Sequence, residues 1–96
     1  MAAGVCSDEI TKTVHKYLAQ VTSCHDSALT SDPEVKGRIV VDIEIVEGRV
    51  LIAKTSSNKT GNQALGNCIE KRIKRWNFPS DCTDVVSIPF ALSPKP

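Results

Sequence analysis

The sequence predicts an α+β domain in which two helices pack on one face of a three-stranded antiparallel sheet, in the order α-β-β-α-β. Three observations predict it. Apolar residues recur at three- and four-residue steps over 7–29 and again over 65–76. Apolar and polar residues alternate over 37–46 and 86–92, and a Glu47-Gly48 pair separates the first alternating run from a second extended one. Ninety-six residues with 41% apolar content suffice for one core, so 1–96 reads as a single domain with its structured part at about 7–92.

In the first helix Ile10, Val14, Tyr17, Leu18, Val21, Cys24 and Ala28 share a face, leaving Asp8, Lys12, Lys16, Gln20 and Ser23 opposite. Ser7 reads as the N-cap, and Asp8 and Glu9 fall in the first turn, where the helix dipole favours negative charge. Thr30-Ser31-Asp32-Pro33 breaks the pattern.

Over 37–46, Ile39, Val41, Ile43 and Ile45 take one face and Arg38, Asp42 and Glu44 the other, the period of a half-buried strand. Glu47-Gly48 makes the turn, with Gly48 supplying a positive φ, and a second strand returns over 49–55. Its alternation blurs at Val50-Leu51-Ile52-Ala53, which points to a bulge. Residues 56–62 form a polar loop rich in helix-capping types, after which Leu65, Cys68, Ile69, Ile73 and Trp76 mark a face of the second helix, closed by Pro79. In the third strand Val86, Ile88, Phe90 and Leu92 alternate with Val85, Ser87, Pro89 and Ala91. Pro89 has no N–H for a ladder, so this strand is expected at a sheet edge with that position facing outward.

Cys6, Cys24, Cys68 and Cys82 lie 18, 44 and 14 positions apart, without a Cys-x-x-Cys knuckle and without a histidine at zinc-site spacing, so disulfides in an oxidising compartment are favoured over a metal site. Three connectivities are open on spacing alone. In the two-helix arrangement Cys24 and Cys68 fall on the apolar faces of their helices, which makes Cys24–Cys68 the natural bridge, worth roughly 4 kcal/mol by chain entropy. Cys6 and Cys82 are left to tie the N-terminus to the loop before the third strand.

Eleven acidic residues nearly balance twelve basic ones, for a formal charge of +1. Lys71, Arg72, Lys74 and Arg75 give the second helix a basic flank behind Lys59. With only four aromatic side chains, Trp76, Phe78 and Phe90 among them at core positions, there is no stacking platform for nucleic acid, and the helix dipole accounts for the flank. Gly61 and Gly66 lack a phosphate-loop fingerprint, so no cofactor is expected. Catalysis is not expected either. Cys24 and His25 are neighbours on a helix and point about 100° apart, His15 lies one position from the apolar face, and Asp42 and Glu44 read as a solvated strand face. No run of about 18 apolar residues spans a membrane. Met1-Ala2-Ala3-Gly4 lacks the basic and apolar regions of a secretion signal, so an exported chain of this sequence is expected to be an excised piece.

Ile10-x-x-x-Val14-His15, Cys24, Pro33, Gly37, Ile45-x-x-Gly48-x-Val50-x-x-Ala53, Ser57, Cys68-Ile69 and Arg75-Trp76-x-Phe78-Pro79 leading to Pro89-Phe90 together resemble a TonB C-terminal-type domain. More narrowly they are similar to the AgmX/PglI branch at the C-termini of myxobacterial gliding-motility proteins, over about 7–92. The resemblance implies a TonB/TolA-like fold and a non-enzymatic periplasmic domain. That domain would be tethered to an inner-membrane helix, contact outer-membrane or periplasmic partners, and transduce energy or force. It also implies docking by strand addition at the third strand, carried here by Val85, Val86, Ser87, Ile88, Pro89, Phe90, Ala91 and Leu92, and it matches Cys24 and Cys68 to the family's paired cysteines. Cys6 and Cys82 stand outside that pattern, and His25 replaces an aromatic residue.

The expected function is therefore partner docking in the cell envelope, by a monomer or by a strand-exchanged homodimer. The rival reading is a stand-alone secreted binding or inhibitor module using the loops at 47–48 and 56–61. A thiol- or metal-dependent enzyme would require a reactive thiol.

Overall fold

The most strictly alternating run of the sequence becomes the central strand of the sheet. The computed structural model describes residues 6–93; the reading of the first four residues lies outside them. Its elements are α1 (Ser7–Ser31), β1 (Gly37–Val46), β2 (Arg49–Asn58), α2 (Gln63–Ile73) and β3 (Asp84–Leu92), in the expected α+β order. The sheet is antiparallel throughout, with strand order β2-β1-β3. Ile39, Val41, Ile43 and Ile45 of β1 are fully buried on the face that meets the helices. They join Ile10, Val21 and Cys24 of α1, Leu65, Ile69 and Ile73 of α2, and Ala53 and Phe90 of the flanking strands in one core.

Several boundaries differ from the sequence reading. Ser7 is the first helical residue, and the N-cap position falls to Cys6, which gives no side-chain cap. Its carbonyl instead accepts the Ile10 N–H at 2.8 Å. At the other end α1 runs through Ser31, since the Asp32 N–H still reaches the Ala28 carbonyl at 2.9 Å and the Thr30 hydroxyl bonds back to Ser27. β2 extends to Asn58, three residues beyond the expected end, because pairing continues to Ile39–Asn58 and the Lys59 N–H bonds the Arg38 carbonyl. Two residues of β2 are skipped in that register, Leu51 and Ser56. Leu51 lies within the stretch where alternation blurred.

The connection to α2 is a nested turn. The Asn58 carboxamide accepts the Thr60 N–H, and the Asn62 side chain caps the helix by accepting the Leu65 N–H at 3.0 Å. α2 stops at Ile73, so Trp76 belongs to the following turn. It is nonetheless 2% exposed, its ring stacked on Tyr17 at 5.2 Å and its indole N–H donating to Gln20 at 3.0 Å.

Candidate docking edge

Which main-chain groups β3 leaves free follows from β1. The Arg38 carbonyl accepts from the Lys59 N–H at 2.9 Å and the Val40 carbonyl from the Ser56 hydroxyl at 3.4 Å, both on the β2 side. Alternation then turns Ile39, Val41, Ile43 and Ile45 toward β3, opposite Phe90, Ile88, Val86 and Asp84. Pro89 faces Val40 across the register, so its main chain, with that of Val85, Ser87 and Ala91, is directed to the outer edge. Its missing N–H thus costs no ladder bond. The Val85 N–H follows the same parity and is taken by the Asp84 side chain at 2.8 Å. Among the described residues, the Ser87 and Ala91 N–H groups and the carbonyls of Val85, Ser87, Pro89 and Ala91 have no strand on that side.

The opposite edge of the sheet is blocked at two points. Glu70 of α2 accepts the Thr55 N–H at 2.7 Å, and Asn77 bridges Arg49. α2 comes this close because position 66 is glycine; a Cβ there would lie 3.0 Å from the Asn58 side-chain nitrogen. Between the two closures sits the bulged stretch, where Leu51 and Ile52 are 58% and 50% exposed.

Side chains of the eight-residue segment divide by face. Val86, Ile88, Phe90 and Leu92 point into the core side, and Val85, Ser87, Pro89 and Ala91 are exposed on the open face of the sheet, where the Ser87 hydroxyl donates to Asp42 at 2.6 Å. Beside the edge, α1 forms the wall of two shallow grooves. Ile10, Thr11, Val14 and His15 line one with residues 86–89, and Val14, His15, Leu18, Val21 and Thr22 line the other with residues 89–92. These α1 residues were not singled out as site residues from sequence. A signal was present: the apolar stripe of α1 is wider than the core uses, and Leu18 is left 43% exposed.

The cysteines hold this frame. Cys24–Cys68 joins α1 to α2 with Cα atoms 5.8 Å apart, and Cys6–Cys82 joins the start of α1 to the loop before β3 at 5.4 Å. Cys24–Cys68 agrees with the helix-face reading and Cys6–Cys82 with the pair it left over, and no described cysteine is free. That same loop clamps the hairpin tip. The Gly48 N–H donates to the Cys82 carbonyl at 2.8 Å, the Gly48 carbonyl accepts from Phe78 at 3.0 Å, and Glu47 donates to the Thr83 hydroxyl. Glu47 and Gly48 both have positive φ, 50° and 82°, as a two-residue hairpin turn requires. His25 is buried, its ring nitrogen donating to the Val35 carbonyl at 3.0 Å, which fastens the end of α1 to the approach to β1. Cys24 beside it is in a disulfide. No group of three or more metal-ligating side chains occurs among the described residues, and no described helix is long and apolar enough to cross a membrane. Two disulfides belong to an oxidising compartment.

Comparison with protein-family models, with curated proteins and with solved structures found no match to this chain.

Proposed function

We propose that this chain is a non-catalytic docking domain that accepts an extended segment of a partner protein as a fourth strand along β3. The observation that carries the reading is the asymmetry of the sheet: Glu70 and Asn77 block the β2 edge at two points, whereas along β3, among the described residues, two N–H donors and four carbonyls are unclaimed. Strand addition uses such groups for affinity and the neighbouring side chains for selectivity. The α1 wall supplies those side chains, mostly apolar.

The resemblance to TonB C-terminal-type domains supports the finer assignment. On that assignment this is the periplasmic domain of an inner-membrane-anchored energy or force transducer, of the gliding-motility kind, that docks an outer-membrane or periplasmic protein. The disulfides are compatible with that compartment, and equally with a secreted binding module. The two readings part at the binding surface, since the secreted module uses the hairpin tip and the 56–61 loop.

The test is isotope-labelled oxidised protein titrated with an extended peptide of alternating valine and threonine. Shifts and new exchange protection are expected at the Ser87 and Ala91 amides, with Thr55 unchanged. Perturbation confined to the outer helix faces would refute strand addition, and perturbation at Glu47 and 56–61 would favour the secreted module. Sedimentation of the free protein tells whether a second copy already fills the edge.

A further inference from the structure

Lys71, Arg72, Lys74 and Arg75 place four cations within five positions at the end of α2, all four exposed. Helix geometry spreads them over an arc of about 160°, centred opposite the buried pair Ile69 and Ile73, so the whole outward side of this helix end is cationic. The dipole of α2 favours cations at this end, the C-cap Lys74 and the Arg75 that follows it included, but it amounts to about half a charge and does not offset four.

Nor is the charge neutralised within the fold. Among the described residues none of the four is in an ion pair with a side chain. Glu70 is the one acid on α2 and stands four residues before Lys74, where it would pair. It is instead turned to the Thr55 N–H at 2.7 Å. The near-zero total charge therefore hides a segregation: outside 71–75 the chain has eight bases against eleven acids.

We infer that this end of α2 is a contact surface for an anionic lipid bilayer, independent of the β3 edge. The cations radiate from a convex helix end, and none of them lines the grooves along β2, along β3 or between the helices. That arrangement does not enclose a small anion or hold an extended acidic peptide, but it meets a plane of phosphate headgroups with several side chains at once. Long flexible cationic side chains suit such a plane, and the attraction is electrostatic, so it weakens over a Debye length.

Flotation of the oxidised 96-residue protein with vesicles tests this. The vesicles are phosphatidylcholine alone, or phosphatidylcholine with about one third phosphatidylglycerol. Binding is expected on the anionic vesicles alone, falling at least about tenfold at high salt. It is expected to fall as far when Lys71, Arg72, Lys74 and Arg75 are all changed to Gln. A matched variant with Lys12, Lys16, Lys36 and Lys59 changed to Gln removes the same charge elsewhere and is expected to keep most of the binding. Circular dichroism and intact-disulfide mass establish that both variants fold, and the salt response of the unaltered protein stands without them. The inference is overturned by absence of binding to anionic vesicles or by equal loss in the two variants. Binding to soluble polyglutamate with no binding to vesicles also overturns it, in favour of an acidic protein partner.

Discussion

The Glu70 carboxylate accepts the Thr55 backbone N–H at 2.7 Å, so a side chain of α2 stands where the carbonyl of a further strand would accept it. Glu70→Ala removes that acceptor and leaves a part-buried N–H at a sheet edge. The expected loss is about 1–2 kcal/mol, read by urea denaturation. Self-association in sedimentation is expected to rise as well, since the β2 edge loses a closure.

The same residue carries the opposite kind of defect. The Thr55 hydroxyl is buried without a hydrogen-bond partner among the described residues. Thr55→Val replaces it with a methyl group of similar size and keeps a β-branched side chain for the strand. Stability is expected to rise by up to about 1 kcal/mol, with the Glu70 bond retained because it uses the backbone. A fall of that size in the stability measured by denaturation would show that the hydroxyl is satisfied in solution.

Trp76 shows where the sequence was legible and where it was not. Its burial followed from helical spacing behind Leu65, Ile69 and Ile73, but α2 ends at Ile73 and the indole reaches the core from a turn. Helix-face and strand-face membership are local properties, and they read correctly for β1, β3 and α2; on α1 Leu18 is exposed and His25 is buried against the reading. Leu51 and Ser56 as skipped residues, the clamp of Gly48 by Phe78 and Cys82, and the closure of β2 by Glu70 depend on segments distant in the chain. No local pattern encodes them. The docking wall was hidden for a related reason: Val14 and Leu18 look like core residues until the sheet proves too narrow to cover them.

Trp76→Ala removes the stack on Tyr17, the bond to Gln20 and a large core volume together, with an expected cost of about 3–5 kcal/mol. Trp76→Phe keeps the ring but leaves Gln20 without its donor and is expected to cost less than half as much. Thermal melts of the three proteins, followed by far-ultraviolet circular dichroism, give the order.

The two disulfides bridge different parts of the frame, so their losses are expected to differ in place more than in size. Cys24 and Cys68 are 44 positions apart, and loops of this order correspond to about 4 kcal/mol in the chain-entropy model. Cys24→Ala with Cys68→Ala is expected to cost about 2–4 kcal/mol and to raise hydrogen exchange where α1 meets α2. Cys6→Ala with Cys82→Ala is expected to cost a similar amount, with faster exchange at Gly48, whose N–H rests on the Cys82 carbonyl.

Pro89 stands opposite Val40 in the register, and Val40 turns its carbonyl toward β2. Pro89→Val therefore restores a main-chain donor on the outer edge without touching the ladder to β1. Between Ser87 and Ala91 it completes a row of evenly spaced donors, and such a row templates pairing with another chain. Monomer stability is expected to change by less than about 1 kcal/mol, while dimer formation measured by sedimentation equilibrium increases, along with affinity for the alternating valine–threonine peptide. If Pro89 instead points its main chain inward, the substitution would add a ladder bond to β1, stability would rise by more than that, and self-association would stay as it was.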